Sequence, residues 1–522
     1  MDQSREFDEF LGTEVRIHDK HRFEVKLDVG VKDGERHVYR VETYLFIPRT
    51  LGINPATYAK ADFYNDIQRY IRFKTPQFSV SKLTDPAEKN SPLARLKSML
   101  DGILAGAKTP SAVESAYEEI KLLACVVRVA LRDQSKFFID ELARIPDEEG
   151  DQARIAVFKE QVGAFLDGLE SFILSVHGLR EALAAPAAPD RLREALAFAD
   201  EYFSIAAEDT LTEILAAIRA RAALRAGLSA VDAHLAALIK GQEAYRAERG
   251  YPSLVDKGTD SETFIYRSGV LKKFVSSVLY LQIETSAGER EAQIIFGIAA
   301  GLAMAIFMVV AYYANTRYTP TSMTFAMILT VGYIVKDRIK DLLKLWFLTR
   351  WTRWASDRST EITDPATGKV IGRMREAFSF VRLASVPDEI KRRRFMDNIT
   401  AIENEGKPEE IIRYEKEVTL FPKLITQFHE RRKDLNDILR INISPFLEQA
   451  DDPKAEHVHL NGKTGKVEVL QCARVYHVNA LMRYVVRASG EAETVKYERF
   501  RIVLTRKGIK RLEVVPAVVA EP

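Results

Sequence analysis

Along most of the chain, hydrophobic and charged positions alternate on short periods, but one block carries no charge at all. From Ala292 to Thr316 there is no Asp, Glu, Lys, Arg or His. Its apolar stretch 294–313 rises about 30 Å as a helix, the thickness of a bilayer core. Tyr312, Tyr313 and Tyr318 stand at its end, where amphipathic rings favour the headgroup level. A second uncharged stretch, 320–335, rises roughly 24 Å, and Lys336 beside it can snorkel to lengthen the span. The short linker 315–319 makes the pair a transmembrane helical hairpin.

The rest of the chain divides by period. Residues 13–49 look strand-like, with His21–Val29 and His37–Phe46 flanking Lys32-Asp33-Gly34 as a β-hairpin. Asn54-Pro55 reads as the start of a helix that carries Tyr58, Phe63, Ile67, Tyr70 and Ile71. Residues 1–85 are thus expected to be a small α+β unit. Ser91-Pro92 then opens a region of helical period, with helices expected at 92–106, 111–144, along Phe158–Leu179, at 190–221 and at 223–248. Alanine is dense from 182 to 240, which suits close antiparallel packing, so 86–250 reads as a helical bundle or coiled coil. Residues 251–291 read as a hinge, Tyr251–Ser261, and a helix over 262–284 that leads to the hairpin at 292–335.

Beyond the hairpin, Lys336, Arg338, Lys340, Lys344, Trp346, Arg350, Trp351, Arg353 and Trp354 predict a separate basic, Trp-rich juxtamembrane helix over 336–354. Such a segment lies among anionic headgroups. Residues 355–522 read as a cytoplasmic α+β domain. Asp364-Pro365-Ala366-Thr367-Gly368 marks a hairpin turn, and helices are expected at 387–399 and 424–439. Residues 411–420 read as a strand or a short helix. Strands at 467–476, 481–488, 495–505 and 511–515 form an antiparallel meander. The fold class is α+β and multidomain: a mainly helical N-terminal half, a central two-helix transmembrane hairpin, and a C-terminal α+β domain.

Charge orients this layout. Six Lys and Arg follow the second span between residues 336 and 353, whereas the connecting loop holds one. The positive flank stays in the cytoplasm, so two crossings put both termini there. The start, MDQSREFDEF, has no signal-peptide character. The terminal α+β portions then share one side of the membrane and are expected to pack together. The net charge of +2 is the sum of −6 over residues 1–335 (40 basic, 46 acidic) and +8 over 336–522 (36 basic, 28 acidic). Cys125 and Cys472, the two cysteines, fit a reducing compartment rather than a disulfide scaffold. Ala- and Arg-rich composition points to a bacterial inner membrane.

Catalytic signatures are sparse. Gly462-Lys463-Thr464-Gly465-Lys466 lacks the upstream glycine and the strand–loop–helix context of a phosphate loop and reads as a hairpin turn. His457, His459, His477 and Cys472 fall on neighbouring predicted strands and are the metal-ligand candidates, with exposed strand positions as the alternative. No cofactor is expected. The run 391–394 is the most basic patch, read as a solvated helix face ahead of lipid contact. Nucleic acid is disfavoured because no aromatic platform accompanies the patch. Gly297, Gly301 and Ala305 repeat at four residues, matched by Ser322, Ala326 and Thr330. Such small-residue faces let helices approach closely, within the hairpin or between protomers of a homo-oligomer.

The order of elements resembles that of the CorA-type divalent-metal channels. Those carry Gly-Met-Asn after the first membrane helix, where this chain reads Tyr-Tyr-Ala-Asn-Thr-Arg at 312–317, so no site residue carries over. The expectation is a membrane-anchored scaffold, sensor or regulator with a cytoplasmic protein partner, acting by binding. An enzyme with a dispersed site and an oligomeric channel or remodelling protein are the alternatives.

Overall fold

The computed structural model describes residues 11–31, 37–146, 152–224, 226–255, 261–287, 289–351, 356–395, 409–429, 434–487 and 493–515. They form a mixed protein of helices, most of them in the N-terminal half, and antiparallel sheet. The chain separates into two compact units, Lys74–Tyr280 and Met1–Phe73 with Leu281–Pro522. The expected boundaries at 85 and 250 therefore move to 73 and 280, and the N-terminal strands belong to the C-terminal unit.

The helical unit contains α1 (Pro92–Leu104), α2 (Pro110–Arg144), α3 (Gln152–Leu183), α4 (Asp190–Ala220), α5 (Ser229–Glu248) and α6 (Ser261–Ser276). Two starts follow from the same local chemistry. The Ser91 hydroxyl accepts from Ala94 N at 3.1 Å and the Thr109 hydroxyl from Ala112 N at 3.2 Å, each with proline at the next position. Such caps satisfy orphan N–H groups, and proline has none to lose. Phe158, Val162, Phe165, Leu169, Phe172 and Val176 of α3 are buried at three-and-four spacing, with Phe172 edge-on to Phe203 of α4.

A polar centre ties the bundle together. Asp200 of α4 accepts from Arg180 at 2.6 Å and from the hydroxyls of Tyr245 and Tyr251, both at 2.7 Å. Burial, reinforced by Asp200, pushes the Tyr245 phenol up to about 12. Buried Arg246 donates to Ser253 O at 3.1 Å and to the Ser204 hydroxyl at 3.0 Å. The expected hinge is thus fastened at Tyr251 and Ser253, because its polar groups complete this network; residues 256–260 lie outside the described residues.

The second unit is two antiparallel sheets. Its strands are β1 (Leu11–Ile17), β2 (Arg22–Val29), β3 (His37–Pro48), β4 (Ile67–Phe73), β5 (Gln282–Ala287), β6 (Arg358–Asp364), β7 (Lys369–Val381), β8 (Glu409–Leu420), β9 (Leu435–Asn442), β10 (Lys454–Leu460), β11 (Val467–Ala473), β12 (Tyr476–Arg487), β13 (Thr494–Thr505) and β14 (Gly508–Val515). The eight-stranded sheet runs β14-β13-β12-β3-β8-β7-β6-β5, the four-stranded sheet β1-β2-β9-β4, and β10-β11 is a separate ribbon.

N- and C-terminal strands interleave in both sheets. β3 lies between β12 and β8, and β9 lies between β2 and β4. The expected β2–β3 hairpin does not form: its strands belong to different sheets, and its turn signal at 32–34 lies outside the described residues. β3 is buried on both faces, which explains why its pattern does not alternate cleanly.

Three expected helices are partly strand. Asn54-Pro55 makes a turn, with the Asn54 side chain accepting from Ala56 N at 2.9 Å; the helix runs only over Lys60–Asp66, and Ile67–Phe73 is β4. The segment 424–439 divides into a helix, Pro422–Phe428, and β9. The segment 262–284 ends its helix at Ser276 and enters β5. In each case a short apolar run fits either period, and pairing with a distant strand decides.

Candidate functional site

The feature that sets this fold apart is a helical hairpin growing from a sheet edge. α7 (Glu289–Arg317) and α8 (Met323–Trp351) lie between β5 and β6 in sequence. Those strands pair antiparallel from Gln282↔Thr363 to Ala287↔Arg358. The feet of the hairpin are therefore neighbours held by the sheet. Each helix, at 29 residues, rises roughly 43 Å. Ser322 caps α8 by accepting from Phe325 N at 3.2 Å.

The seam between the helices is lined by small residues. Ala299, Ala303 and Ala314 of α7 are fully buried. On α8, Phe325, Ile328, Leu329 and Gly332 are half-buried at helical spacing. A Cβ added at Gly332 would sit 3.4 Å from the Phe307 ring and 3.5 Å from Val310. Gly297 and Gly301 have nothing within 4 Å of such a Cβ, and Ala305 is exposed beside them. Ala326 and Thr330 are exposed too, while Ser322 is half-buried at the cap. The small-residue series singled out in the sequence is thus not the internal seam. α7 carries two such stripes about 200° apart, and its partner uses the Ala299–Ala303 one.

Outside the seam the hairpin is apolar and open. Val309 is 69% exposed, Tyr312 73% and Met323 78%, where folded soluble surfaces bury such groups or scatter them singly. Lys344 Nζ lies 5.3 Å from the centre of the Phe296 ring, so the α7 stretch from Phe296 to Met304 runs beside the charged half of α8. Two described helices are long and apolar enough to cross a membrane, Gln152–Leu183 and Phe296–Arg317. The first has 39% of its apolar window buried and is the core helix α3; the second has 11% buried. The stretch expected as a second span, 320–335, is helical only from Met323, and its uncharged turns to Val335 rise about 20 Å.

The basic segment is not a separate helix. α8 continues unbroken through Lys336, Arg338, Lys340, Lys344 and Trp346 to Trp351, because nothing in that sequence breaks a helix. Lys336 lies 3.8 Å over the Tyr333 ring, Lys340 pairs with Asp337 at 3.0 Å, and Trp346 is exposed. Arg350 and Trp351 close the helix; Arg353 and Trp354 lie outside the described residues.

The metal candidates end up on two different elements. His457 and His459 of β10 and Cys472 of β11 share one face of the ribbon, with His457 opposite Leu470 and His459 opposite Glu468. His477 belongs to β12 in the large sheet. Among the described residues, no group of three or more His, Cys, Asp or Glu is placed to hold a metal ion. The basic run at 391–394 is largely ion-paired: Lys391 with Asp388 at 3.0 Å, Arg392 with Glu389 at 2.5 Å and buried Arg394 with Glu409 at 2.7 Å.

Sequence reasoning missed a buried charged layer between the two sheets. Asp437 of β9 accepts from Lys416 of β8 at 2.6 Å and from the Tyr39 hydroxyl of β3 at 2.8 Å, all buried. Glu376 of β7 accepts from Tyr414 and Arg69. Burial, then the Asp437 charge, raises the Tyr39 phenol far above its ordinary range. At the rim, burial would raise Glu24, but Arg440 at 2.6 Å and Arg16 at 2.8 Å hold its carboxyl below the usual range. The only sequence signal for this layer is charge inside otherwise apolar strands, as in Leu435–Asn442. No protein-family model, curated protein or solved structure matches the chain.

Proposed function

We propose that this protein is a membrane-anchored scaffold or regulator whose two folded units face the cytoplasm of a bacterial cell and act by binding a protein partner. One observation carries the reading: an apolar, outward-exposed hairpin whose two ends are clamped together by the β5–β6 pair. A clamp of this kind returns the chain to the side from which it left, whatever depth the hairpin reaches. The basic lower half of α8 supports contact with anionic headgroups, as cytoplasmic flanks do.

The apolar zone shared by both helices is only about 20 Å, set by the uncharged turns of α8. Full crossing then needs snorkelling by Lys336 and Lys340 or local thinning of the bilayer. This favours, as a second reading, a hairpin that dips into one leaflet. A Thr319→Cys probe in a Cys472→Ser background separates the two. Labelling of intact cells by a membrane-impermeant thiol reagent means crossing. Labelling only after lysis means a one-leaflet hairpin, and recovery of the chain in the supernatant after alkaline washing refutes anchoring. For the binding role, mass measurement of complexes pulled from native membranes should show a second protein at fixed stoichiometry. The bare chain alone would refute it.

A further inference from the structure

The β10–β11 ribbon is the most unusual exposed element after the hairpin. It is a two-stranded arm, exposed along nearly all of its length. A lone ribbon of this size is only marginally stable in water. Its pairing places Val458 opposite Val469 and Leu460 opposite Val467 on one face. These four side chains are 62%, 56%, 64% and 69% exposed. The same face turns polar towards the base, where Gln471 donates to Glu456 at 2.9 Å. Beyond the apolar pairs the tip turns at Gly465 and presents two exposed lysines, Lys463 and Lys466.

Strand pairing fixes where the arm is rooted. Ala287 and Arg358, the feet of the hairpin, are partners at one end of the large sheet. Arg358 is paired with Glu376, and following that rung across the sheet gives Lys416, then Val41, then Tyr484. Tyr476, where the ribbon rejoins the sheet, lies eight residues further along β12 than that rung, in the direction in which the hairpin leaves. At the root, Arg474 and Arg506 are ion-paired with Asp451 and Asp452, at 3.7 Å and 3.2 Å, and Lys454 is exposed; the tip carries the exposed pair Lys463 and Lys466.

We infer that the ribbon is a second membrane contact, laying its valine and leucine face on an anionic lipid surface with Lys463 and Lys466 among the headgroups. This rests on the hairpin being membrane-embedded. Apolar side chains with flanking lysines are the combination that binds an anionic interface, and each lysine near such a surface strengthens contact by about fivefold. The contact would fix the rotation of the sheet about the hairpin, which a single anchor leaves free.

The test uses the full chain in vesicles of three parts phosphatidylcholine to one part phosphatidylglycerol. An environment-sensitive dye is placed at Val458→Cys in a Cys472→Ser background, and in a second sample at Val309→Cys on the hairpin. Nitroxide-labelled lipids should quench both. Ribbon quenching should fall severalfold in pure phosphatidylcholine and in the Lys463→Glu, Lys466→Glu variant, while hairpin quenching stays. If the hairpin dye is quenched and the ribbon dye is not, the ribbon contact is wrong and the anchor stands. If neither is quenched, the anchor itself fails. A ribbon dye already blue-shifted in detergent, in a particle twice the chain mass, means a second copy covers this face and overturns the lipid contact.

Discussion

Ala287 and Arg358 face each other at the last observed rung of the β5–β6 ladder, so the whole hairpin can be excised without disturbing the sheet. Replacing residues 289–356 by Asn-Gly joins Gly288 to Asp357 through a two-residue turn, the connection antiparallel pairs favour. Asp357 is kept because it accepts from Phe378 N at 2.7 Å, from Lys60 at 2.5 Å and from the Tyr64 hydroxyl at 3.1 Å. What is removed is nearly all solvent-facing apolar surface, including Val309, Tyr312 and Met323. The internal seam goes with it, and among the described residues the main packing of each hairpin helix is with the other. The stability of the remainder should therefore change by less than about 1 kcal/mol, within the range of a loop-length change. The variant should move from the membrane pellet to the soluble fraction and keep its circular dichroism band for antiparallel strand. It should also lose all tryptophan emission, since Trp346, Trp351 and Trp354 are the only three tryptophans. A variant that stays in the pellet as folded protein would mean that α3, the other long apolar helix, is the anchor. A variant that aggregates would mean that the β5–β6 register is wrong.

Four further outcomes follow from the packing and the buried charges. Gly332→Leu should lower the detergent melting temperature, because overpacking the seam against Phe307 costs about 1–3 kcal/mol. Gly301→Leu should leave that temperature unchanged or raised and alter only the mass of any oligomer. Lys416→Met should destabilise the hairpin-excised protein by about 3–5 kcal/mol in urea titration, since it strands the buried Asp437 carboxylate. Adding Asp437→Leu should recover most of that loss, and no recovery would mean that the pair stabilises in its own right. Glu24 has a depressed carboxyl, so its stabilisation is complete above its unfolded value of about 4.3 and is lost as pH falls through the lower folded value. Glu24→Gln should therefore reduce stability at pH 7 and flatten the acid limb of the urea midpoint against pH.

The helical unit was legible because long helices repeat their period many times and declare their ends, as Ser91-Pro92 does. The sheets were not. Ile67–Phe73 and Leu435–Asn442 are each too short to choose a period, and each becomes a strand by pairing with the other, across more than three hundred and fifty residues of chain. The hairpin itself was plain from its missing charge, but its seam was not. Gly297–Gly301 and Ala299–Ala303 are equivalent stripes by composition, and only the register with Phe307 and Gly332 distinguishes them. The Lys416–Asp437–Tyr39 layer was hidden for the same reason as the sheets: none of its members is near another in sequence.

The place of β3 between β12 and β8 sets a timetable for synthesis. β3 ends at Pro48, and the first strand that can flank it begins at Glu409. At usual elongation rates of about 5–20 residues per second, β3 waits roughly 20–70 s for that neighbour. During that interval the helical unit, whose contacts are local, can finish folding, and the hairpin can reach the bilayer. The early strands meanwhile carry open edges, the state most prone to wrong pairing. If the hairpin is the anchor we propose, its insertion would then precede closure of the sheet that clamps it, and the anchor would be set before the domain it serves exists.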